Sequence, residues 1–229
     1  GHAQGMKLPR FAVKAVLFDL DGTLVDSAPD LALAVERMRA ARQLPALPLE
    51  GYRPHASSGA RGMIQVAFGV PPADPAYDAL KQEFLAHYEQ CLLHHTRCFE
   101  GVEELVATLA LGQMPWGIVT NKAQRLTEPV LAGLPMLSGA GAVVCGDTTP
   151  WPKPHPEPLR EAARRLGVSP EACIYVGDDE RDIVAGREAG MFTVAARYGY
   201  LGVGGETGHW GADAEVLSPL QVLKLLQLP

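Results

Sequence analysis

The segment Lys14–Ser27 reads KAVLFDLDGTLVDS. Its first half is an unbroken apolar run between charged residues, the pattern of a short strand buried on both faces. Asp19 closes the run, Asp21 follows, Gly22 permits a tight turn and Thr23 adds a hydroxyl. A calcium loop of the EF-hand kind does not fit. It needs a third alternating oxygen ligand before its glycine, and here Gly22 directly follows Asp21. Two carboxylates at the end of a strand stand where open α/β sheets place their ligands.

Four more apolar runs predict strands of the same kind: WGIVT (Trp116–Thr120), AVVCG (Ala142–Gly146), CIYVG (Cys173–Gly177) and FTVAA (Phe192–Ala196). Helical spacing lies between them, in Val102, Leu105, Val106 and Leu109 and again in Leu159, Ala162, Ala163 and Leu166. Val222, Leu223 and Leu226 predict a closing helix, and Pro129 predicts a kink or a late start in the helix after Thr120. Strands alternating with helices give an α/β fold, a doubly wound parallel sheet covered on both faces. Between Asp26 and Gly101 the alternation stops and no convincing strand is found. Helical patterns replace it: Leu31, Val35, Met38; Ala60, Met63, Ile64, Ala67, Phe68; and Tyr77, Leu80, Phe84, Tyr88, Cys91, with Ser57 and Ser58 as candidate caps of the middle helix. A stretch of roughly 70 residues is too long for a loop. It predicts a small all-helical domain inserted after the first strand, with both linkers at one edge of the sheet.

The 229 residues hold 20 Lys+Arg against 26 Asp+Glu, a formal net charge of −6. That acidic balance argues against a nucleic-acid partner, which wants a basic stripe. It leaves room for an anionic substrate in a locally positive pocket. No stretch reaches the roughly 18 apolar residues of a membrane span. Gly1–Gly5, ahead of Met6, read as an appended leader, and GHAQGMKLPRF has no apolar core of a secretory signal. The expectation is a cytoplasmic protein, monomer or homodimer, whose Cys91, Cys98, Cys145 and Cys173 remain free thiols.

Three other segments carry polar residues at strand ends. Thr120 and Asn121 close one strand, Lys153 sits in the proline-stiffened WPKPHPEP, and VGDDERDI places Asp178 and Asp179 at a strand end with Asp182 just beyond. Each alone has an ordinary reading: a helix N-cap, a solvated lysine, or acids complementing a helix dipole. All four segments, however, fall at the carboxyl ends of parallel strands and so share one edge of the sheet. Asp19, Asp21, Asp178 and Asp179 would converge there, and carboxylates crowded in one cleft repel. A divalent cation relieves the repulsion, and an oxygen-only donor set suits Mg²⁺. Lys153, Thr120 and Asn121 supply donors for phosphate oxygens, and a carboxylate nucleophile can accept a phosphoryl group. The residues point to Mg²⁺-assisted phosphoryl transfer.

The four segments resemble, in order, the four motifs of the haloacid-dehalogenase-like hydrolase superfamily. Asp19, Asp21, Gly22 and Thr23 match D-x-D-G-T; Thr120 and Asn121 match the Thr-Asn motif; Lys153 matches the motif lysine; Gly177, Asp178 and Asp182 match G-D-x-x-x-D. The resemblance spans Lys14 to about Tyr200 and implies a Rossmann-like core of residues 6–25 and 99–229 with a helical cap at 26–98. It implies that Asp19 is nucleophile and metal ligand. Asp21 would be general acid–base, with its backbone carbonyl on the metal. Asp178 would be a further ligand, Asp179 and Asp182 would lie in the shell behind it, and Lys153 would pair with Asp19. Thr120 would hold the transferring phosphoryl group with Asn121 near it, and the cap would close over the cleft to exclude water.

Within the superfamily the chain is most similar to phosphoglycolate phosphatases, so the expected substrate is a small phosphorylated metabolite, 2-phosphoglycolate first. SSGARGM (Ser57–Met63) and the glycine-rich Arg197–Asp213 also resemble a relative acting on N-acetylmuramic acid 6-phosphate. Arg61 could grip a substrate carboxylate or hydroxyl. Dehalogenating members lack the second carboxylate, so Asp21 argues against that chemistry. Phosphomutases of the β-phosphoglucomutase type keep it and stay open. A Schiff-base phosphonatase would need a cap lysine, and Lys81 reads as a solvated helix face; His94 and His95 read as surface. Phosphorylated receiver modules use a similar residue set without the long insert.

Overall fold

The structure, a computed structural model, describes residues 6–228; the expected leader Gly1–Gly5 and Pro229, the last residue of the expected core, lie outside the described residues. The first apolar run forms β1 (Ala15–Phe18) in the middle of a parallel sheet. It pairs on one side with β4 (Trp116–Val119) and on the other with β6 (Cys173–Gly177). With β5 (Ala142–Val144), β7 (Phe192–Ala196) and β8 (Ala214–Val216) the order is β5-β4-β1-β6-β7-β8. All five expected strands form. The sixth, β8, was not anticipated: three residues with a glutamate in the middle carry no readable apolar run. It pairs in parallel with β7.

Period-two alternation sends side chains to two cores. Val16 and Phe18 join one with Val102, Leu105 and Leu109 of α5 (Val102–Leu111). Ala15 and Leu17 join the other with Leu159, Ala162 and Ala163 of α7 (Glu157–Leu166). The helix after β4, α6 (Gln124–Ala132), starts late and carries Pro129 within it, and α8 (Glu180–Glu188) follows β6. The closing helix is a correction: Pro219–Leu225 winds as a 3₁₀ helix. Seven residues are few for a cooperative α-helix, and the tighter turn lines up Val222 and Leu225, both buried, against the core.

The helical insert consists of α1 (Ala28–Ala41), α2 (Leu49–Tyr52), a 3₁₀ segment Arg53–Ser58, α3 (Gly59–Phe68) and α4 (Tyr77–Glu89). Its neck is a second correction. Where no strand was expected, β2 (Val25–Asp26) and β3 (Arg97–Cys98) form an antiparallel ribbon. Two-residue strands are too short to show alternation in sequence. The fully buried Asp30 of α1 secures the same neck, accepting from the backbone N–H of His95 and Thr96 and from the Thr96 hydroxyl. Leu31, Val35, Met38, Met63 and Phe84 of the insert share one apolar cluster with Val16 and Phe18. His94 and His95 are exposed, as expected.

Candidate active site

β1 is the point where the sheet order reverses, the chain running to β4 and β5 on one side of it and then to β6, β7 and β8 on the other, and a crevice opens beyond the strand ends at such a point. Register places Phe18 between Ile118 and Val176, so the next residues of the three strands, Asp19, Val119–Thr120 and Gly177–Asp178, lie side by side. Gly22 turns the chain back with φ +86°, and a Cβ there would collide with the Asp178 carboxylate. Gly199 is under the same constraint, with the Gly22 carbonyl and Asp178 against it.

Lys153, 4% exposed, is the hub through its Nζ. It lies 3.0 Å from Asp19 Oδ1 and 2.8 Å from Asp182 Oδ1, and donates to the Val119 carbonyl and the Tyr175 hydroxyl at 2.9 and 2.7 Å. Burial opposes its charge, but Asp182 and Asp19 hold its pKa above the ordinary lysine value. Asn121 fixes the lysine's backbone from both sides. Its amide donates to the Lys153 carbonyl at 2.8 Å and accepts from the Lys153 N–H at 2.9 Å. Thr120, 2% exposed, accepts from the Lys122 N–H.

Asp19, Asp178 and Asp182 are buried with one oxygen each inside 4.8 Å of the others. Burial first, and Asp182 next, push the Asp19 carboxyl well above the carboxylate range despite Lys153. The same two causes push Asp178 up to about 7. Buried carboxyls such as Asp19 and Asp178, pressed away from the charged form in an all-oxygen cluster, are what a hard divalent cation relieves, so the residues fit a metal. Asp182 is also spoken for locally: its Oδ1 takes Lys153 and the Tyr175 hydroxyl, and its Oδ2 completes a capping box with Asp179 at the start of α8. Asp179 accepts from the N–H and Nε of Arg181, whose guanidinium outweighs burial and lowers the Asp179 pKa. Asp21 stands apart from the three, 3.2 Å from Lys122 Nζ.

The helical insert reaches into this centre. Ser57, expected as a cap, instead donates its hydroxyl to Asp178 Oδ2 at 2.8 Å, and its carbonyl accepts from Arg181. Ser58 is the N-cap residue of α3 but makes no side-chain cap bond. Between insert and sheet lies a cavity of about 390 Å³, with Asp19, Asp21, Thr120 and Lys153 at its floor and Phe84 and Leu85 on its wall. Arg61 is exposed at its rim and touches Ser58 Oγ at 3.2 Å. Lys81, read as a solvated face, is exposed but also lines the cavity.

Sequence reasoning missed several residues. Lys122 and Tyr88 line the cavity, and Arg181 bridges α8 to the insert. The tail segment Arg197–Asp213 lines no part of the cavity; it braces the neck. The Tyr200 hydroxyl accepts from the N–H of Ser27 and Ala28 and donates to Asp26, and Tyr198 donates to the Thr23 carbonyl. The one local signal for Lys122 was its place directly after Asn121.

Comparison with known proteins agrees with this geometry. Residues 16–196 match the family described as haloacid dehalogenase-like hydrolase. The chain is 45% identical over 217 residues to a phosphoglycolate phosphatase of Xanthomonas campestris pv. campestris, covering 95% of this chain and 96% of that protein. It is 41% identical over 219 residues to an N-acetylmuramic acid 6-phosphate phosphatase of Pseudomonas aeruginosa, covering 96% and 97%. The crystal structure of a predicted phosphoglycolate phosphatase from Haemophilus somnus 129PT superposes with a TM-score of 0.82 at 26% identity, over 96% of this chain and all of that one. On the family match and these relatives, the chain belongs to the haloacid dehalogenase-like hydrolase family.

Proposed function

We propose that the protein is a Mg²⁺-dependent phosphomonoester hydrolase that works through a phosphoryl group carried on Asp19. The observation carrying this reading is the meeting of Asp19 with Lys153 and Thr120 at the floor of the cavity between insert and sheet, beside a buried carboxylate cluster. Asp19, Asp178 and the Asp21 backbone carbonyl would hold the cation, which when bound neutralises carboxylate and phosphate charge.

The chain's own residues do the rest. Asp19 Oδ1 is held by Lys153 and by the Leu20 N–H at 2.7 Å, and Oδ2 meets no donor among the described residues. A carboxyl oxygen of Asp19 bonds to phosphorus as the ester P–O bond breaks, and Asp21 gives its proton to the departing oxygen. Water then bonds to phosphorus, its proton passes to Asp21, and the Asp19–phosphorus bond breaks to release phosphate. Lys153 and Thr120 bind the phosphoryl oxygens, Asn121 orients Lys153, and Asp182 holds Lys153 from behind. Residues 26–98 act as the cap that excludes water during transfer.

The substrate is a small phosphorylated metabolite, 2-phosphoglycolate first, supported by the phosphoglycolate phosphatase relative at 45% identity. N-acetylmuramic acid 6-phosphate is the alternative, supported by the relative at 41%; a phosphomutase role has no separate observation in its favour. Arg61 at the rim would grip the part of the substrate away from phosphorus. A cytoplasmic location goes with this reading, supported by four free cysteines and by the lack, among the described residues, of any helix long and apolar enough to cross a membrane. Phosphate release from both compounds, β-glucose 1-phosphate and p-nitrophenyl phosphate, with Mg²⁺ and with chelator, tests the proposal. Mg²⁺-dependent release is the expected result, and interconversion of glucose phosphates without release would replace it with a mutase.

A further inference from the structure

The reaction set out above gives Lys122 no part, yet its side chain is 7% exposed in the heart of the site. Nζ lies 3.2 Å from Asp21 Oδ1 on one side. On the other it donates to the Tyr88 hydroxyl and stands 4.5 Å from the centre of that ring. Burying an ammonium without partners strips its proton. Burial does press that way here, but Asp21 and Tyr88 together hold Lys122 charged. Tyr88 belongs to α4 of the insert, is 2% exposed, and stacks on Phe84 with ring centres 5.8 Å apart. Asp21 Oδ1 receives a second donor, Ser27 Oγ at 2.5 Å, from the residue just before α1. Asp21 Oδ2 meets no donor among the described residues.

We propose that Lys122 is a positioning residue for Asp21, and that its anchor on Tyr88 makes the alignment of Asp21 depend on the docking of the helical insert. The proposal rests on the reading of Asp21 as the acid–base group. Lys122 and Ser27 clamp one carboxyl oxygen and thereby present the other to the reacting atoms. One orientation serves both half-reactions. When Asp21 is protonated, Oδ1 accepts from the clamp and Oδ2 hands its proton to the departing oxygen. When it is ionised, Oδ2 takes the proton of the attacking water. An undocked insert carries Tyr88 away and leaves Lys122 without its second partner.

The test separates the two half-reactions in the Mg²⁺-loaded protein with p-nitrophenyl phosphate, whose leaving group needs no proton. The Lys122→Met variant is expected to release its first equivalent of p-nitrophenol within about threefold of the parent rate and then to turn over about 10- to 100-fold more slowly, with phosphorylated enzyme accumulating. Against 2-phosphoglycolate, whose leaving alkoxide does need a proton, the formation of phosphorylated enzyme falls by about the same factor. Tyr88→Phe keeps the ring and its stacking and removes only the hydroxyl. It is expected to give the same split at smaller amplitude, which keeps the test open should Lys122→Met fold poorly. Equal slowing of both phases in both variants would put Lys122 on the transferring phosphoryl group and overturn the proposal. Folded variants with unchanged kinetics would overturn it too. A parent protein that releases no p-nitrophenol would instead defeat the phosphatase reading itself.

Discussion

Asp178 carries the clearest conflict between burial and charge. It is fully buried, it accepts from Thr23, Ser57 and the Tyr200 N–H, and its pKa still rises to about 7 because burial and Asp182 outweigh those donors. The unfolded chain holds this carboxyl at about 3.9. Between those values the folded state binds more protons than the unfolded state, so stability falls as pH rises through the window. With metal chelated, the protein is expected to melt at a lower temperature at pH 7.5 than at pH 5.5. The difference should shrink in Asp178→Asn, and Mg²⁺ should restore the melting temperature at the higher pH. Thermal unfolding under those conditions checks the prediction; a chelated parent that melts higher at pH 7.5 would contradict it.

The elements that failed to announce themselves are short or held by distant partners. The strand β1 was legible because four apolar residues in a row stop at an aspartate, and the site motifs were legible because each ends such a strand. The edge strand β8 and the β2–β3 ribbon offer two or three residues apiece, too few for any period to show. Lys122 carries no role that its own neighbourhood reveals, because its partners, Asp21 and Tyr88, lie far back along the chain. Tyr198 and Tyr200 likewise sit in a glycine-rich tail while their hydroxyls bind the chain between Thr23 and Ala28. Asp30 shows how much one unnoticed residue holds at this scale. Asp30→Ala leaves the N–H groups of His95 and Thr96 and the Thr96 hydroxyl without their partner at the neck, an expected loss of about 3 kcal/mol and a fall in Tm of roughly 6–12 °C, measurable by calorimetry.

At the scale of the whole molecule, three of the polar contacts between insert and core lie in the active centre. Ser57 touches Asp178, Arg181 touches the Ser57 carbonyl, and Tyr88 touches Lys122. Under the proposed function, docking of the insert over the cavity and completion of the catalytic set would go together. Arg181→Ala removes a charged donor worth about 1.5–3 kcal/mol to the closed arrangement. Hydrogen exchange over residues 53–68 is expected to quicken by at least about tenfold in that variant, while exchange in β1 and β6 stays as in the parent. Unchanged exchange over 53–68 would show that Arg181 does not hold the insert.

Trapping the phosphorylated protein tests the central claim most directly. Asp21→Asn removes the group that activates water and leaves Asp19 in place, so phosphoryl transfer from a leaving group that needs no proton outruns hydrolysis of the phosphorylated aspartate. Incubated with p-nitrophenyl phosphate and Mg²⁺, digested under acid and mapped by mass spectrometry, this variant is expected to carry one phosphoryl group, on Asp19 and labile to hydroxylamine. Asp19→Asn is expected to carry none and to release no phosphate. Phosphate release by Asp19→Asn at the parent rate, or turnover by the parent with no phosphoryl group ever found on Asp19, would contradict the account.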